Sequence, residues 1–123
     1  MVGPKGQSVD VVAHELMHAE IHHRVGYLKR FLQLPTWFDE GVAMQVDHRP
    51  RYTLSPQDAQ NVDDVRGLTT FSSFFTGDEQ TVVRHYAAAK QVAAAWLSTV
   101  GPASLYVRLR RMRDGESFAD ISR

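Results

Sequence analysis

The longest helical pattern in this chain covers residues 78–100 and limits the fold that the chain can adopt. Apolar or small side chains recur there at helical spacing and form one stripe, namely Val82, Tyr86, Ala89, Ala93, Trp96 and Val100. Gly101 and Pro102 then end the helix and allow a new one to start. Because the alanines let another helix approach closely, we expect a mainly α fold built from packed helices.

A second helical pattern lies near the start of the chain. After a flexible lead over residues 1–7, Ser8 or Asp10 can cap a helix that runs to about Val25 and ends at Gly26. Its apolar residues lie on both sides, so we expect the helix to be buried: Val12, Leu16 and Ala19 on one side, Val11, Ile21 and Val25 on the other.

The remaining patterns complete a single domain over residues 1–123. Thr36 follows the helix breaker Pro35 and can cap a helix over residues 37–46. Residues 49–77 lose any regular period, which indicates loops with brief helical turns. Leu105, Leu109 and Met112 share one face of a last helix over residues 103–114. Since no run alternates between apolar and polar residues, we expect little or no β-sheet, with the first two helices packed on a C-terminal helical pair.

Composition excludes several classes of function. The 123 residues include 14 basic and 14 acidic side chains, so the chain offers no strong field for nucleic acid or an anionic membrane. There is no cysteine, which excludes a thiolate metal site and cysteine catalysis. No secretory signal or membrane-spanning segment is predicted from the sequence. A metal, if bound, must be held by nitrogen and oxygen atoms.

The first helix carries the H-E-x-x-H pattern in His14, Glu15 and His18. Residues four apart lie on one helical face, so the two imidazoles can reach the same ion. Glu15 is offset by about 100° and can approach a water beside the ion without binding the ion itself. These residues predict a zinc site with Glu15 as general base.

A catalytic zinc ion has three protein ligands, and Glu40 is the candidate for the third. It lies on the next predicted helix, with enough intervening chain to turn back toward the histidines. Taken alone, Glu40 could equally be an acidic residue that the helix dipole favours in the first turn.

At this point the sequence resembles a known family. Residues 37–43, Trp-Phe-Asp-Glu-Gly-Val-Ala, look like the W-L-N-E-G-F-A stretch of the gluzincin aminopeptidases and peptidase MA-like domains. Residues 86–118 resemble, with lower specificity, the C-terminal half of the MA-like domains. The resemblance implies a zincin-like catalytic core in which His14, His18 and Glu40 bind one zinc ion and Glu15 transfers protons. It also makes Tyr86 a candidate hydrogen-bond donor to the oxyanion.

The chain departs from the family in two ways. Many gluzincins have an acidic residue three or four positions after the third ligand, where this chain has Ala43 and Met44; Asp10, Asp39 or Asp47 could orient a zinc histidine instead. Family members usually also have a strand before the H-E-x-x-H helix that pairs with the substrate. The chain is therefore interpreted either as a piece of a larger peptidase or as a minimal version.

The sequence leaves three functions open. The first is zinc-dependent hydrolysis of a peptide or protein, and the second is a zinc-binding regulatory module that cleaves nothing. The third is a structural helical domain without metal. Tyr86 can also be a packing residue, His85 is an equal alternative to it, and His22, His23 and His48 are expected at the surface or behind the ligands. The arginines of residues 108–113 are interpreted as a solvated helix end rather than a nucleic-acid site.

Overall fold

The computed structural model describes residues 4–26, 33–55 and 58–123, and helix dominates these segments. The six α-helices of the described segments are α1 (Pro4–Val25), α2 (Thr36–Ala43), α3 (Phe71–Phe75), α4 (Glu79–Val100), α5 (Leu105–Arg113) and α6 (Phe118–Ile121). Short 3₁₀ segments occupy Met44–Val46, Pro50–Tyr52, Asp58–Gly67 and Pro102–Ser104. The described segments contain no strand, which confirms the expectation of a mainly α fold.

The long helix α4 has the boundaries that its sequence predicts. Asp78 caps its start by accepting a hydrogen bond from the backbone N–H of Thr81 at 2.8 Å. Gly101 ends it with φ of +85°, a conformation that side chains disfavour, and its N–H donates to the carbonyl of Leu97 at 2.8 Å. Of the predicted stripe between these caps, Ala89 and Ala93 are buried, and Ala87, Val92 and Leu97 are buried as well.

Helix α2 packs closely against α4 because Gly41 has no side chain. A Cβ atom at Gly41 would lie 2.4 Å from the carbonyl oxygen of Ala89, so only glycine allows this approach. Gln45 strengthens the contact by donating to the carbonyl oxygens of Gly41 at 2.8 Å and Lys90 at 2.9 Å. The position of the neighbouring Glu40 is therefore fixed by the α2–α4 contact.

Helix α1 packs against α5 and α2 on one side only. Ile21 and Val25 are fully buried there, whereas Val9, Val12 and Leu16 are 67%, 56% and 62% exposed. The prediction that both sides of this helix are buried is therefore wrong, since within the described segments nothing covers the second side. The helix also begins earlier than predicted, at Pro4, because proline suits the first turn of a helix; residues 1–3 lie outside the described residues.

The core lies between α2, α4 and the C-terminal helices. Phe38 packs edge-on against Trp96 and Phe118, with ring centroids 5.1 and 4.9 Å apart. The predicted face of α5 is confirmed, since Leu105, Leu109 and Met112 are all buried. None of the described helices is both long and apolar enough to cross a membrane.

The arginines near the C-terminus are partly used within the fold. Arg108 donates to the Ser104 hydroxyl at 3.0 Å and to the carbonyl of Ile121 at 2.6 Å. Arg111 pairs with Glu116 at 2.5 Å. These contacts hold α6 and the chain end against α5, which is a structural role for two members of the basic run.

Candidate metal centre

Two helices bring the predicted metal ligands together. His14 and His18 lie one turn apart on α1, and their Nε2 atoms are 3.0 Å from each other. Glu40 of α2 places Oε1 2.6 Å from His18 Nε2 and Oε2 3.8 Å from His14 Nε2. All three residues are buried, with at most 9% of their surface exposed. The structure thus assembles a His/His/Glu cluster from the two sequence motifs.

Each histidine of this cluster is oriented by a carboxylate on its other nitrogen. The Nδ1–H of His14 donates to Asp47 at 3.0 Å, and the Nδ1–H of His18 donates to Asp39 at 2.8 Å. In a neutral ring this arrangement leaves the lone pair on Nε2, the atom that faces the cluster. Asp39 and Asp47 therefore occupy the orienting positions, while Asp10 accepts a hydrogen bond from the backbone N–H of His48 at 3.2 Å.

Asp47 is held in place by its own neighbours. Its side chain is fully buried, and Arg49 donates to it at 2.6 Å. Burial alone would raise the pKa of Asp47, but the hydrogen bonds from Arg49 and His14 outweigh burial and lower the pKa to about 2. Asp47 is therefore a permanent carboxylate behind His14.

The carboxylates around His14 and His18 favour positive charge inside the cluster. Burial lowers the pKa of His18, yet the hydrogen bonds to Asp39 and Glu40 prevail and raise it to about 10. For His14, burial lowers the pKa, but the hydrogen bonds within the cluster outweigh burial and raise it. For Glu40 and Asp39, burial raises the pKa, but the hydrogen bonds from the histidines outweigh burial and lower it. Since the surrounding carboxylates stabilise positive charge on the imidazoles, they would also stabilise a metal ion between them.

The donor set and the spacing of the cluster fit zinc. Two nitrogens and one carboxylate are a common set in catalytic zinc sites, and such ligands at about 2.0–2.1 Å from the ion lie about 3.3 Å from one another. The observed separations of 2.6, 3.0 and 3.8 Å bracket this value. Glu40 Oε2 is moreover buried without a hydrogen-bond partner, which is costly unless a ligand satisfies it. His14, His18 and Glu40 could therefore hold one metal ion.

Glu15 and Tyr86 lie beside the cluster on different elements. Glu15 is exposed on α1, next to His14. Tyr86 of α4 is half-buried, and its ring stands edge-on to the His14 ring with centroids 6.1 Å apart. Burial and the charge of Glu40 raise the pKa of Tyr86, so its hydroxyl keeps its proton. The placement suits a hydrogen-bond donor, and the catalytic role of Tyr86 stays a prediction.

Tyr86 also has a packing role, as the sequence left open. Its ring contacts Phe74 and Tyr52, with centroids 5.2 and 5.3 Å apart. The alternative residue His85 donates from Nδ1 to the backbone carbonyl of Phe74 at 2.7 Å. His85 is therefore engaged with α3, and Tyr86 is the better placed of the two.

His22 was expected at the surface or behind the ligands, and the structure places it behind His18. The Nε2–H of His22 donates to Oδ2 of Asp39 at 3.2 Å, so one carboxylate joins His22 to His18. His18, His22 and Asp39 form a second group whose nitrogen and oxygen atoms lie close enough to hold a metal ion, and this group shares His18 with the first. The signal was present in the sequence, because His22 follows His18 by four residues and so faces the same way.

The described residues define a class of protein at this point: a helical domain with a buried His/His/Glu cluster and carboxylates behind both histidines. No protein-family model, curated protein or solved structure matches the chain.

Proposed function

We propose that this chain is a zinc-dependent peptidase of the gluzincin type. The observation that carries the proposal is the convergence of His14 Nε2, His18 Nε2 and the Glu40 carboxylate, which includes the unpartnered buried Oε2 atom. The resemblance of the two motifs to gluzincins supports peptide bonds as the substrate. One zinc ion is the proposed cofactor, and a peptide or protein is the proposed partner.

Zinc bound at such a site lowers the pKa of a water to about 7 and polarises the carbonyl of the scissile bond. Glu15 is the residue that moves protons. Glu15 is exposed and follows His14 on α1, so its carboxylate can accept a proton from the attacking water and deliver it to the leaving amine. Asp39 and Asp47 keep the imidazoles in the tautomer that presents Nε2.

Tyr86 is the proposed donor to the developing oxyanion. Its raised pKa keeps the hydroxyl protonated at neutral pH, which a donor requires. The phenyl contacts with Phe74 and Tyr52 fix the ring, so the hydroxyl needs little reorganisation during the reaction. A donor of this kind contributes about 10²- to 10³-fold in kcat.

The rival proposal is a zinc-binding regulatory or interaction module that cleaves nothing. One observation favours it: residues 4–26, 33–55 and 58–123 contain no strand that could pair with an extended peptide. Both proposals require the His/His/Glu cluster, and only the first requires Glu15.

The Glu15→Gln substitution separates the two proposals. Loss of the general base should lower peptide cleavage by about 10²- to 10⁴-fold while zinc content stays at one ion per chain. Glu20→Gln is the matched control, because Glu20 is a half-exposed glutamate on the same helix that pairs only loosely with Arg24 at 3.5 Å. Equal turnover by wild type and Glu15→Gln on a mixed peptide substrate would favour the regulatory module.

A further inference from the structure

A cavity of about 890 Å³ lies beside the candidate metal centre. The start of α2, up to and including Glu40, lines one part of the cavity, and residues 69–72 with Phe75 line another. Its volume is near the upper end of the range for ligand sites in proteins. Because Glu40 belongs both to the cavity wall and to the His/His/Glu cluster, the cavity adjoins the candidate centre.

Aromatic rings dominate the far side of the cavity. Phe71 and Phe75 of α3 both line it, with ring centroids 4.5 Å apart, and Phe118 lines it as well. Phe71 is 70% exposed, which leaves a large ring in contact with water at the cavity wall. Of the three phenylalanines of α3, only Phe74 is fully buried. An apolar ligand would cover the rings that the fold leaves open.

The charges around the cavity favour an uncharged occupant. Its described lining residues include no lysine, arginine or histidine, so an acidic group would find no counter-charge among them. Asp39 and Glu40 are the acidic lining residues, and both are already directed at His18, at 2.8 and 2.6 Å. Their charges are balanced by the imidazoles or a bound metal ion, which leaves little attraction for a basic side chain.

One lining residue of the cavity also contacts Tyr86, which lies beside His14. Phe75 contacts Tyr86, with ring centroids 5.9 Å apart. Phe75 and Glu40 therefore join the cavity to the region of Tyr86 and the His/His/Glu cluster, where the carbonyl of a peptide substrate would lie. A side chain close to the scissile bond can reach the cavity from that position.

From these observations we infer that the cavity between Glu40, Phe71 and Phe75 binds a bulky apolar side chain of the peptide substrate, with aromatic residues preferred. The inference rests on the proposed peptidase function for the identity of the ligand as a substrate. The cavity itself is defined without any metal, so its occupancy can be measured separately from cleavage.

Binding to the metal-free chain tests the cavity alone. N-acetyl-phenylalaninamide should shift the amide NMR signals of residues 34–40 and 69–75, whereas N-acetyl-lysinamide and N-acetyl-alaninamide should shift them at least about tenfold less at equal concentration. Phe71→Ala should weaken binding of the phenylalanine probe by about 2- to 10-fold. Val107→Ala removes an equally exposed apolar side chain outside the cavity and should leave binding unchanged. Equal shifts with all three probes, or shifts elsewhere in the chain, would overturn the inference.

Cleavage of a peptide library by the zinc-loaded chain tests the link to the substrate. Phenylalanine, tyrosine, leucine or methionine should be enriched at one position beside the cleaved bond, and Phe71→Ala should reduce that enrichment. Cleavage without any such preference, or with a preference for lysine or arginine, contradicts the inference and leaves the peptidase proposal standing. Binding of the phenylalanine probe in a chain that cleaves nothing contradicts the peptidase proposal and retains the apolar binding site.

Discussion

Raising the pH from 6.5 to 8 should destabilise the metal-free chain, because folding raises the pKa of His18. That pKa is about 10 in the folded chain, against 6.5 for an ordinary histidine. Below pH 6.5 the folded and unfolded chains both hold the proton, so its stabilising contribution is complete. Between 6.5 and about 10 only the folded chain holds it, and stability falls as pH rises. His18 alone can remove at most about 2 kcal/mol over these 1.5 pH units.

The acidic residues of the cluster do not cancel this effect. Folding lowers the pKa values of Asp39, Glu40 and Asp47, so their contribution is complete above the unfolded values near 4 and is lost only as pH falls below them. Folding also raises the pKa of His14, which adds to the slope in the same direction as His18. The free energy of unfolding in chelator should therefore decrease steadily from pH 6.5 to pH 8.

Zinc should reverse the sign of this pH dependence. Binding requires both imidazoles to lose the proton on Nε2, so affinity for the ion increases as pH rises. Each tenfold gain in affinity adds about 1.4 kcal/mol of stability at a fixed excess of free zinc. The stability curves with zinc and with chelator should diverge toward pH 8.

Urea unfolding followed by circular dichroism, at three pH values with chelator and with zinc, measures both slopes. His18→Gln should flatten the slope in chelator to about half or less of the wild-type value and should abolish the effect of zinc. If the free energy of unfolding of the wild type in chelator stays constant or rises with pH, the claim that folded His18 keeps its proton above pH 6.5 is refuted.

Two substitutions away from the ligands test the supporting structure. Asp39→Asn keeps the size of the residue that orients His18, and it should weaken zinc binding by about 10- to 100-fold in a competition assay with a chelating dye; Asp63→Asn, an exposed equivalent, should leave the affinity unchanged. Gly41→Ala places a methyl group 2.4 Å from the Ala89 carbonyl oxygen and should lower the free energy of unfolding by at least about 1–3 kcal/mol. Gly67→Ala meets no atom within 4 Å and should be nearly neutral, so equal stabilities of the two variants would contradict the close α2–α4 contact.

Most of the helical segments could be predicted from the sequence, because their signals are local. Helix α4 is confirmed between its Asp78 cap and Gly101, and the described residues of 49–55 and 58–77 contain the expected loops and short helical turns. The burial of the second apolar side of α1, in contrast, could not be predicted from the sequence. Val12 and Leu16 follow a helical spacing that is typical of buried residues, yet burial needs a partner surface, and a spacing pattern carries no information about that partner.

The candidate site was predictable to the extent that it follows from helix geometry. The spacing of His14 and His18 places them on one face of a helix. Glu40 was a candidate from its place on the next helix, and the resemblance to a family motif favoured it as the third ligand. For the residues that orient the two histidines, the sequence offered three candidates without deciding between them. Asp39 and Asp47 reach the histidines because of the angle between α1 and α2 and the turn after α2, and both depend on long-range packing such as the Gly41 contact.

The most direct test of the central claim is the zinc content and coordination of the chain purified without added metal. Elemental analysis should give one zinc ion per chain, and X-ray absorption should show two imidazole nitrogens and a carboxylate oxygen at about 2.0–2.1 Å. Glu40→Ala should lower the affinity by more than about 100-fold, beyond the loss expected for an orienting residue. A chain that binds no zinc even when the metal is supplied in excess, or a Glu40→Ala variant with wild-type affinity, would contradict the proposed metal centre.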